Sequence, residues 1–156
     1  MDQGICGVVM SGIIVGVDGS DHSQLALAWA MREAAQHHAP LTVMTVHPAP
    51  VRPATQIFWP VPDLPDRSYD PEFARKALGG LVDQVAREVA ETVPEITVSV
   101  VMGDPAEELV NASRDADMLV VGSRGSGGFA RLLMGSVSSQ VTHHAACPVV
   151  IIPGSR

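Results

Sequence analysis

A glycine-rich stretch that follows an apolar run contains the residues of this sequence best suited to bind an anion. The run over residues 118–121 reaches Gly122, and the dipeptide Gly135-Ser136 opens a predicted helix that continues to about His144. Glycines let a backbone approach a phosphate closely, and the unpaired N–H groups of a helix start point toward it. Ser136 could cap this helix or donate its hydroxyl to a phosphate oxygen. We therefore interpret residues 122–135, the glycine loop, as a phosphate site rather than a flexible surface loop.

The glycines of this loop have the spacing G-x2-G-x9-G-S at positions 122, 125, 135 and 136. Arg124 and Arg131 could offset phosphate charge, although exposed arginines are common in loops. The loop has no lysine and no carboxylate, so it is not the Gly-x4-Gly-Lys-Ser/Thr loop of a P-loop NTPase. Because phosphoryl transfer needs positioned cations, binding is better supported than turnover. The residues predicted here to contact a ligand are Gly122, Ser123, Arg124, Gly125, Ser126, Gly127, Gly128, Gly135, Ser136 and Val137.

The turn after the first predicted strand carries a carboxylate. Residues 18–20 (Asp-Gly-Ser) follow the strand over residues 12–17, and Ser20 or Asp21 can cap the next helix, which runs to about residue 38. An aspartate in this place could simply shape the turn. Beside a polyphosphate it would repel the ligand unless Mg²⁺ lay between them, so Asp18 suggests a metal-bridged nucleotide.

The composition indicates one domain with an aliphatic core. The chain has 156 residues and a mass of 16.4 kDa, and 46% of its residues are hydrophobic while only 4% are aromatic. Such a chain can bury a sizeable core made mainly of Val, Ile, Leu and Ala. The formal net charge is −7, with Lys76 as the single lysine. This charge makes nucleic acid and anionic membranes unfavourable partners.

The two ends of the chain and its metal-binding residue types add little chemistry. Residues 1–11 are expected to form an N-terminal tail without the cationic start and long apolar region of a secretory signal, so we expect a cytoplasmic location.

Cys6 and Cys147 make no disulfide framework and lie at no structural zinc spacing. The histidines, including His22, show no ligand spacing, and we assign no metal site to them.

The order of the predicted elements is that of a parallel α/β domain. Apolar or β-branched segments, typical of buried strands, occupy residues 12–17, 41–47, 96–101, 118–121 and 148–152. Their alternation with helices predicts a single three-layer domain over residues 12–153, with a five-stranded parallel sheet and helices on both faces. Ligands of such sheets lie outside the carboxyl ends of the strands, where the strand order reverses. Asp18, Val46 and Gly122 should meet at that edge.

Helical spacing predicts the apolar faces of the first two helices and the cap of the third. Leu25 and Trp29 lie one turn apart on the first helix. Phe73 begins an apolar repeat of every fourth residue over residues 71–93. Asp104 is the predicted cap of the third helix, with proline at its first position.

A proline-rich segment separates the second strand from the second helix. Seven of the twelve prolines lie within residues 48–71. The segment cannot form a sheet interior or a stable helix, so residues 48–70 are predicted to be a long loop. Its aromatic residues Phe58, Trp59 and Tyr69 either anchor the loop to the domain or form a lid or partner surface.

The spacing of the glycine loop resembles the ATP-binding signature of the universal stress protein family. Residues 13–20 look like the opening strand and turn of that family, residues 41–47 like its second strand, residues 103–105 like its turn before the third helix, and residues 147–153 like its closing strand. The likeness covers residues 12–153, and no motif position is missing. It implies an adenine-nucleotide alpha-hydrolase-like fold that binds ATP with Mg²⁺.

The resemblance also implies roles for single residues. Asp18 would lie near the ribose or the metal, and the backbone of Val46 would contact adenine. Gly16 would let the nucleotide approach the first strand closely. A homodimer would form through the last strand, Val149–Ile152, whose apolar edge invites pairing. The predicted nucleotide-binding residues outside the glycine loop are Gly16, Asp18, Gly19, Ser20 and Val46.

The leading hypothesis is an ATP-binding stress-response regulator or sensor, and three alternatives stay open. One is an enzyme that uses ATP, for instance by slow hydrolysis or by autophosphorylation on Ser136 or Ser138. The second is a binder of cyclic AMP or AMP, for which Gly135-Ser136 would matter less. The third is a nucleotide-free protein that acts through surfaces such as residues 48–70. The complete glycine signature argues against the third.

Overall fold

The computed structural model describes residues 12–48, 70–89, 94–126 and 134–154, which form five strands and four α-helices. The strands are β1 (Ile13–Gly16), β2 (Leu41–His47), β3 (Ile96–Met102), β4 (Met118–Gly122) and β5 (Val149–Ile152). The helices are α1 (Asp21–His37), α2 (Pro71–Val89), α3 (Pro105–Ala112) and α4 (Ser136–His144). None of these helices is long and apolar enough to cross a membrane. The predicted order of strands and helices is confirmed, whereas the proline-rich loop lies outside the described residues except at its ends.

The strands form one parallel sheet in the order β3-β2-β1-β4-β5. Helices α1 and α2 pack on one face, and α3 and α4 pack on the other. The chain therefore crosses from one edge strand, β3, past the centre to β4, and the strand order reverses between β1 and β4. This confirms the predicted three-layer α/β domain and puts the expected ligand crevice at the carboxyl ends of β1 and β4.

Strand β1 shows how the sheet is buried on both faces. Ile13, Val15 and Val17 point into the core beneath α1 and α2, and all are at most 5% exposed. Ile14 packs into the opposite core beneath α3 and α4. Since successive side chains of a strand alternate between faces, an apolar run without polar interruptions is what a sheet covered on both sides requires.

Helix α1 packs on the sheet through a row of alanines together with Leu27 and Met31, and not through the predicted Leu25. Ala26, Ala30 and Ala34 recur every fourth residue and are fully buried against the sheet. Leu25 is 38% exposed, so its predicted place on the apolar face is wrong. The alanines let the helix axis lie close to the sheet. Leu25, which precedes Ala26, then lies on a side of the helix that is turned toward solvent.

Helix α2 buries a narrower face than its repeat suggested. Leu78, Val82 and Val85 are buried, but Phe73 is 73% exposed, and its predicted burial is wrong. A repeat of four residues turns by about 40° per step relative to a helix of 3.6 residues per turn. Over three steps, from Val85 back to Phe73, this drift carries the side chain from the core to the solvent face.

Gly79 and Gly80 lie within the continuous helix α2, and no neighbouring atom requires either residue to be glycine. No atom lies within 4 Å of the place that a Cβ would take at either residue. Alanine is favoured over glycine in a helix interior by roughly 0.5–1 kcal/mol. We therefore expect Gly80→Ala to raise the free energy of unfolding by about that amount, measured by urea denaturation. A lower stability for this variant would contradict a continuous helix through Gly80.

Candidate functional site

The site lies where β1, β2 and β4 end at the same edge of the sheet. The Asp18 side chain, after β1, reaches the glycine loop after β4: its Oδ2 atom accepts a hydrogen bond from the Ser126 N–H at 2.7 Å. Two segments 108 residues apart are thereby joined. The structure thus brings the predicted carboxylate and the predicted phosphate loop into direct contact.

The carboxylate of Asp18 is held in its ionised form. Its Oδ1 atom accepts hydrogen bonds from the hydroxyl of Ser20 at 2.6 Å and from the N–H of Ser20 at 3.1 Å. Desolvation raises the pKa of Asp18 and is the largest single influence, but the hydrogen bonds from Ser20, Ser126 and Ser23 together outweigh it and lower the pKa. The Asp18 carboxylate, which is itself an anion, therefore already accepts the hydrogen bond of one backbone N–H of the glycine loop, that of Ser126.

The glycines of the loop are required for different physical reasons. A Cβ at Gly125 would lie 2.6 Å from Oδ2 of Asp18, so Gly125 makes room for the carboxylate. A Cβ at Gly122 would lie 2.8 Å from the backbone carbon of His22, in the first turn of α1. Gly122 is therefore needed for the close approach of α1 to β4. The spacing alone suggested phosphate contact for both.

Ser123 connects β5, α1 and the start of α4 through hydrogen bonds. This buried residue donates its N–H to the Ile152 carbonyl at 2.8 Å. Its carbonyl accepts from the Gly135 N–H at 2.8 Å and from the Ser138 hydroxyl at 3.0 Å. Its hydroxyl lies 3.2 Å from Nδ1 of His22. Ser123 was predicted to bind the ligand, and the structure shows each of its polar atoms with a hydrogen-bond partner in the protein.

Helix α4 begins without a side-chain cap. Its N-cap residue is Gly135, which has no side chain to offer, so the predicted capping role of Ser136 is wrong. Ser136 is instead the first residue of the helix and is exposed. In contrast, Ser20 caps α1 through the Ser23 N–H, and Asp104 caps α3, as predicted. Within the described ranges, the N–H groups of the first turn of α4 thus have no capping side chain and are suited to an anion.

The two described ends of the glycine loop meet at a place that we call the cradle, formed by Arg124, Gly125 and Gly135. A Cβ built on Gly135 would stand 3.4 Å from Cα of Arg124 and 3.6 Å from the N atom of Gly125, so the two ends approach each other closely. Within the described part of the chain, Nε of Arg124 is buried without a hydrogen-bond partner. A buried donor without an acceptor is costly, and an anion in the cradle could supply one.

Gly16 and Gly19 are explained without a ligand. The space beside Gly16 is filled by Leu109 and Val121, with the nearest Leu109 atom 3.0 Å from the position of a Cβ. Gly19 has a φ of 83°, which a glycine adopts most easily, and open space around it. Both residues therefore have structural reasons to be glycine, whatever else they contact.

The end of β2 leaves backbone groups facing the crevice. The ladder between β1 and β2 ends at Gly16 and Met44, and the Met44 carbonyl accepts from the Val17 N–H at 2.8 Å. Since backbone groups alternate in direction along a strand, the N–H and C=O of Val46 point to the same side as those of Met44. They lie beyond the last paired residue of β1, where a flat polar ring could bind.

Some predicted site residues cannot be placed. Gly127, Gly128 and Arg131 lie outside the described residues, as do Phe58, Trp59 and Tyr69 of the proline-rich loop. Among the described residues, no group of three or more His, Cys, Asp or Glu side chains could hold a metal ion by itself.

Sequence reasoning missed His22, which packs at the centre of this edge. Its backbone lies against Gly122, and its imidazole fills the space that a Cβ on Gly154 would need. Its only sequence signal is its place in the first turn of the helix after Asp18-Gly-Ser, which says nothing about β4 or β5. Its contact with Ser123 joins residues 101 positions apart, and Gly154 lies still further along the chain.

A cavity of about 390 Å³ lies in the groove between α3 and α4. Asp104 and Glu107 line it, together with Gln140 and His144. Asp104 caps α3, and Glu107 lies in its first turn, where carboxylates are favoured by the helix dipole. The acidic lining is therefore accounted for by the start of the helix.

The sheet order and the helices on both faces define a three-layer α/β domain with a parallel sheet, and solved structures share this fold. Residues 10–153 match the sequence model of the universal stress protein family. The chain belongs to that family.

Known relatives agree with this assignment. A universal stress protein of Mycolicibacterium smegmatis is 36% identical over 148 residues, which cover 92% of this chain and 48% of that protein. This chain spans about half the length of the curated relatives it matches. A solved universal stress protein in complex with cAMP is 28% identical, with a TM-score of 0.65 over 94% of this chain and 99% of that chain. The universal stress protein from Archaeoglobus fulgidus in complex with dAMP shares the fold, with a TM-score of 0.60 at 24% identity, over 92% of this chain and 98% of that chain.

Proposed function

We propose that this protein binds an adenine nucleotide, ATP with Mg²⁺, and acts as a nucleotide-dependent regulator or sensor in a stress response. The observation that carries the proposal is the start of α4 beside the buried Nε of Arg124: among the described residues, no side chain caps the helix and Nε has no hydrogen-bond partner. Both lie at the edge where parallel α/β sheets bind ligands. A phosphate in the cradle would accept hydrogen bonds from both.

The adenine ring would bind at the end of β2. The N–H and C=O of Val46 face the crevice and could pair with the edge of the ring. The solved relative in complex with cAMP supports an adenine nucleotide as the ligand class. In this arrangement the nucleotide would extend across the end of β1, from Val46 to the first turn of α4.

Asp18 would hold Mg²⁺ together with the phosphates. Mg²⁺ in proteins is commonly bound through one or two carboxylates plus substrate phosphates and waters. A single carboxylate at the crevice meets that need. Bound Mg²⁺ would cancel the repulsion between Asp18 and the polyphosphate, and Asp18 would then release the Ser126 N–H to a phosphate oxygen.

A second candidate is a sensor of cyclic AMP or AMP. The solved relative in complex with cAMP favours it, and the start of α4 could bind a single phosphate as well. Such a ligand would not need the metal at Asp18. Dependence of affinity on Mg²⁺ and on the number of phosphates therefore separates the two candidates.

If the protein used ATP for autophosphorylation, Ser136 and Ser138 would differ as phosphate acceptors. Ser138 is 3% exposed and donates its hydroxyl to the Ser123 carbonyl, which makes it a poor phosphate acceptor. Ser136 is exposed at the first position of α4. Autophosphorylation, if it accompanies binding, should therefore occur on Ser136 rather than Ser138.

Self-association through β5 completes the proposal. β5 is an edge strand, and its four aliphatic residues are half-buried in the single chain. Pairing with β5 of a second copy would cover this edge. We propose this homodimer in the cytoplasm, with neither nucleic acid nor membrane as a partner.

The test is nucleotide binding by the parent protein and by Gly135→Val. The valine side chain would fill the cradle beside Arg124 and Gly125, so we expect ATP affinity with Mg²⁺ to fall by about 100-fold, as for the loss of one or two hydrogen bonds to a charged group. Calorimetric titrations with ATP, AMP and cyclic AMP, with and without Mg²⁺, measure this. Gly80→Ala serves as the matched control, since it changes a glycine far from the site and should bind like the parent.

The outcomes separate the hypotheses. Tight binding of ATP only with Mg²⁺, lost in Gly135→Val, supports the first candidate. Equal binding of cyclic AMP with or without Mg²⁺ supports the second. A parent that binds no adenine nucleotide while folded, as judged by circular dichroism, would overturn both and leave an interaction protein.

A further inference from the structure

The imidazole of His22 occupies a place between three segments of the chain. His22 lies in the first turn of α1, and its backbone contacts Gly122 at the end of β4. Its ring lies where a Cβ on Gly154, just after β5, would otherwise be. His22 is thus packed between two glycines, Gly122 and Gly154, and its ring has little freedom to turn.

Among the residues that the structure describes, the ring makes one polar contact, with Ser123. Nδ1 of His22 lies 3.2 Å from the Ser123 hydroxyl, across 101 residues of sequence. The donor depends on the tautomer, since either group can supply the hydrogen. Ser123 is only 9% exposed, so this contact fixes the side chain of a buried residue.

Ser123 in turn fixes the start of α4. Its carbonyl accepts hydrogen bonds from the Gly135 N–H and from the Ser138 hydroxyl, and these residues begin the first turn of the helix. The N–H groups of that turn are the ones proposed to bind phosphate. A displacement of Ser123 would therefore move the phosphate-binding groups away from Arg124.

We propose that His22 is a positioning residue for the phosphate-binding start of α4 and acts through Ser123. The proposal rests on the proposed nucleotide site. His22 would set the affinity for the phosphates of the ligand without contacting them. The adenine end would not depend on it, because Val46 lies at the end of β2, on the other side of β1 from β4 and β5.

The experiment compares ATP with adenosine, which has no phosphate, as ligands of His22→Leu. We expect the affinity for ATP to fall by about tenfold, similar to the loss of an outer positioning partner at other sites, while adenosine binds as in the parent. His22→Asn should restore ATP binding, since an amide can reach the hydroxyl of Ser123. His37→Leu, the same change near the far end of α1, is the matched control and should bind both ligands like the parent.

Ser123→Ala tests the same contact from its other side. It removes only the hydroxyl, so it should reduce ATP affinity to a similar extent, and adding it to His22→Leu should cause no further loss. This variant also answers the question if His22→Leu fails to fold. Equal ATP affinity in the parent and in either variant would overturn the proposal, as would an equal loss for adenosine, which would indicate general packing.

Hydrogen exchange of the Gly135 amide separates this proposal from the proposed function. Measured without nucleotide, exchange should be faster in His22→Leu than in the parent, because the acceptor, the Ser123 carbonyl, is less well fixed. A parent that binds no nucleotide would defeat the proposed function alone. Unchanged exchange at Gly135 would overturn the positioning role whether or not a nucleotide binds.

Discussion

Asp18→Asn is expected to weaken ATP binding when Mg²⁺ is present and to strengthen it when Mg²⁺ is removed with a chelator. With the metal, the variant loses a carboxylate ligand, and we expect a loss of about tenfold or more. Without the metal, the carboxylate of the parent repels the phosphates and also competes for the Ser126 N–H, which it binds at 2.7 Å. Removing about 1.4 kcal/mol of repulsion would raise affinity about tenfold.

This reversal of sign distinguishes Asp18 from a residue that only supports the fold. Loss of a structural role would weaken binding under both conditions. Titrations of the parent and of Asp18→Asn, each with Mg²⁺ and with chelator, give the four affinities required. Weaker binding by the variant in both media would show that Asp18 shapes the turn and does not bridge to a metal.

The acid stability of the nucleotide-free protein provides an independent check on Asp18. Hydrogen bonds lower the pKa of Asp18 below its ordinary value of 3.8, so its ionised form stabilises the folded state at neutral pH. That contribution is lost as the pH falls through the lowered pKa. The stability difference between the parent and Asp18→Asn should therefore be largest near neutral pH and shrink in acid, as followed by urea denaturation at each pH.

Gly122→Ala and Gly135→Ala are expected to differ in stability, although the two glycines belong to one motif. The added methyl at Gly122 would lie 2.8–2.9 Å from three atoms of His22, two of them backbone, which cannot move without shifting α1. Such overpacking typically costs about 1–3 kcal/mol and occasionally more, so the expected loss is about 3 kcal/mol. For a domain of this size this lowers Tm by about 6–12 °C.

The methyl at Gly135 meets its nearest atoms at 3.4 Å, an ordinary contact. Alanine at an N-cap is less favourable than glycine, so we expect a loss of less than about 1 kcal/mol. Thermal unfolding of the two variants side by side measures the difference. Equal destabilisation would contradict the close approach of α1 to β4. The contrast also shows why Gly135, and not Gly122, is the glycine to change in a binding experiment.

Local sequence was enough to predict the strands and most helix starts. Runs such as Leu41–His47 are β-branched and apolar, and Asp104 followed by proline has the chemistry of a helix start. These signals act between residues within one turn or one strand of each other. The exposed Leu25 and Phe73 show the limit, because the side of a helix that is buried depends on how the helix lies on the sheet.

The sequence also predicted that Asp18, Val46 and the glycine loop share one edge, since the carboxyl ends of parallel strands must lie together. It could not predict what each glycine makes room for. Gly16 is packed by Leu109, Gly122 by α1 and Gly125 by Asp18, whereas a Cβ at Gly135 would make only ordinary contacts. In the amino-acid sequence these glycines look alike, because the residues that pack against them come from other parts of the chain.

By itself, then, the sequence determined the parallel α/β domain, its order of elements and the edge that Asp18, Val46 and Gly122 share, because alternation, capping and glycine spacing are local or follow from topology. Only the tertiary structure decided that Asp18 binds the Ser126 N–H and that His22 meets Ser123. Each of these contacts joins residues about 100 positions apart. Their geometry depends on how closely α1 packs on β4, and no local pattern encodes that distance.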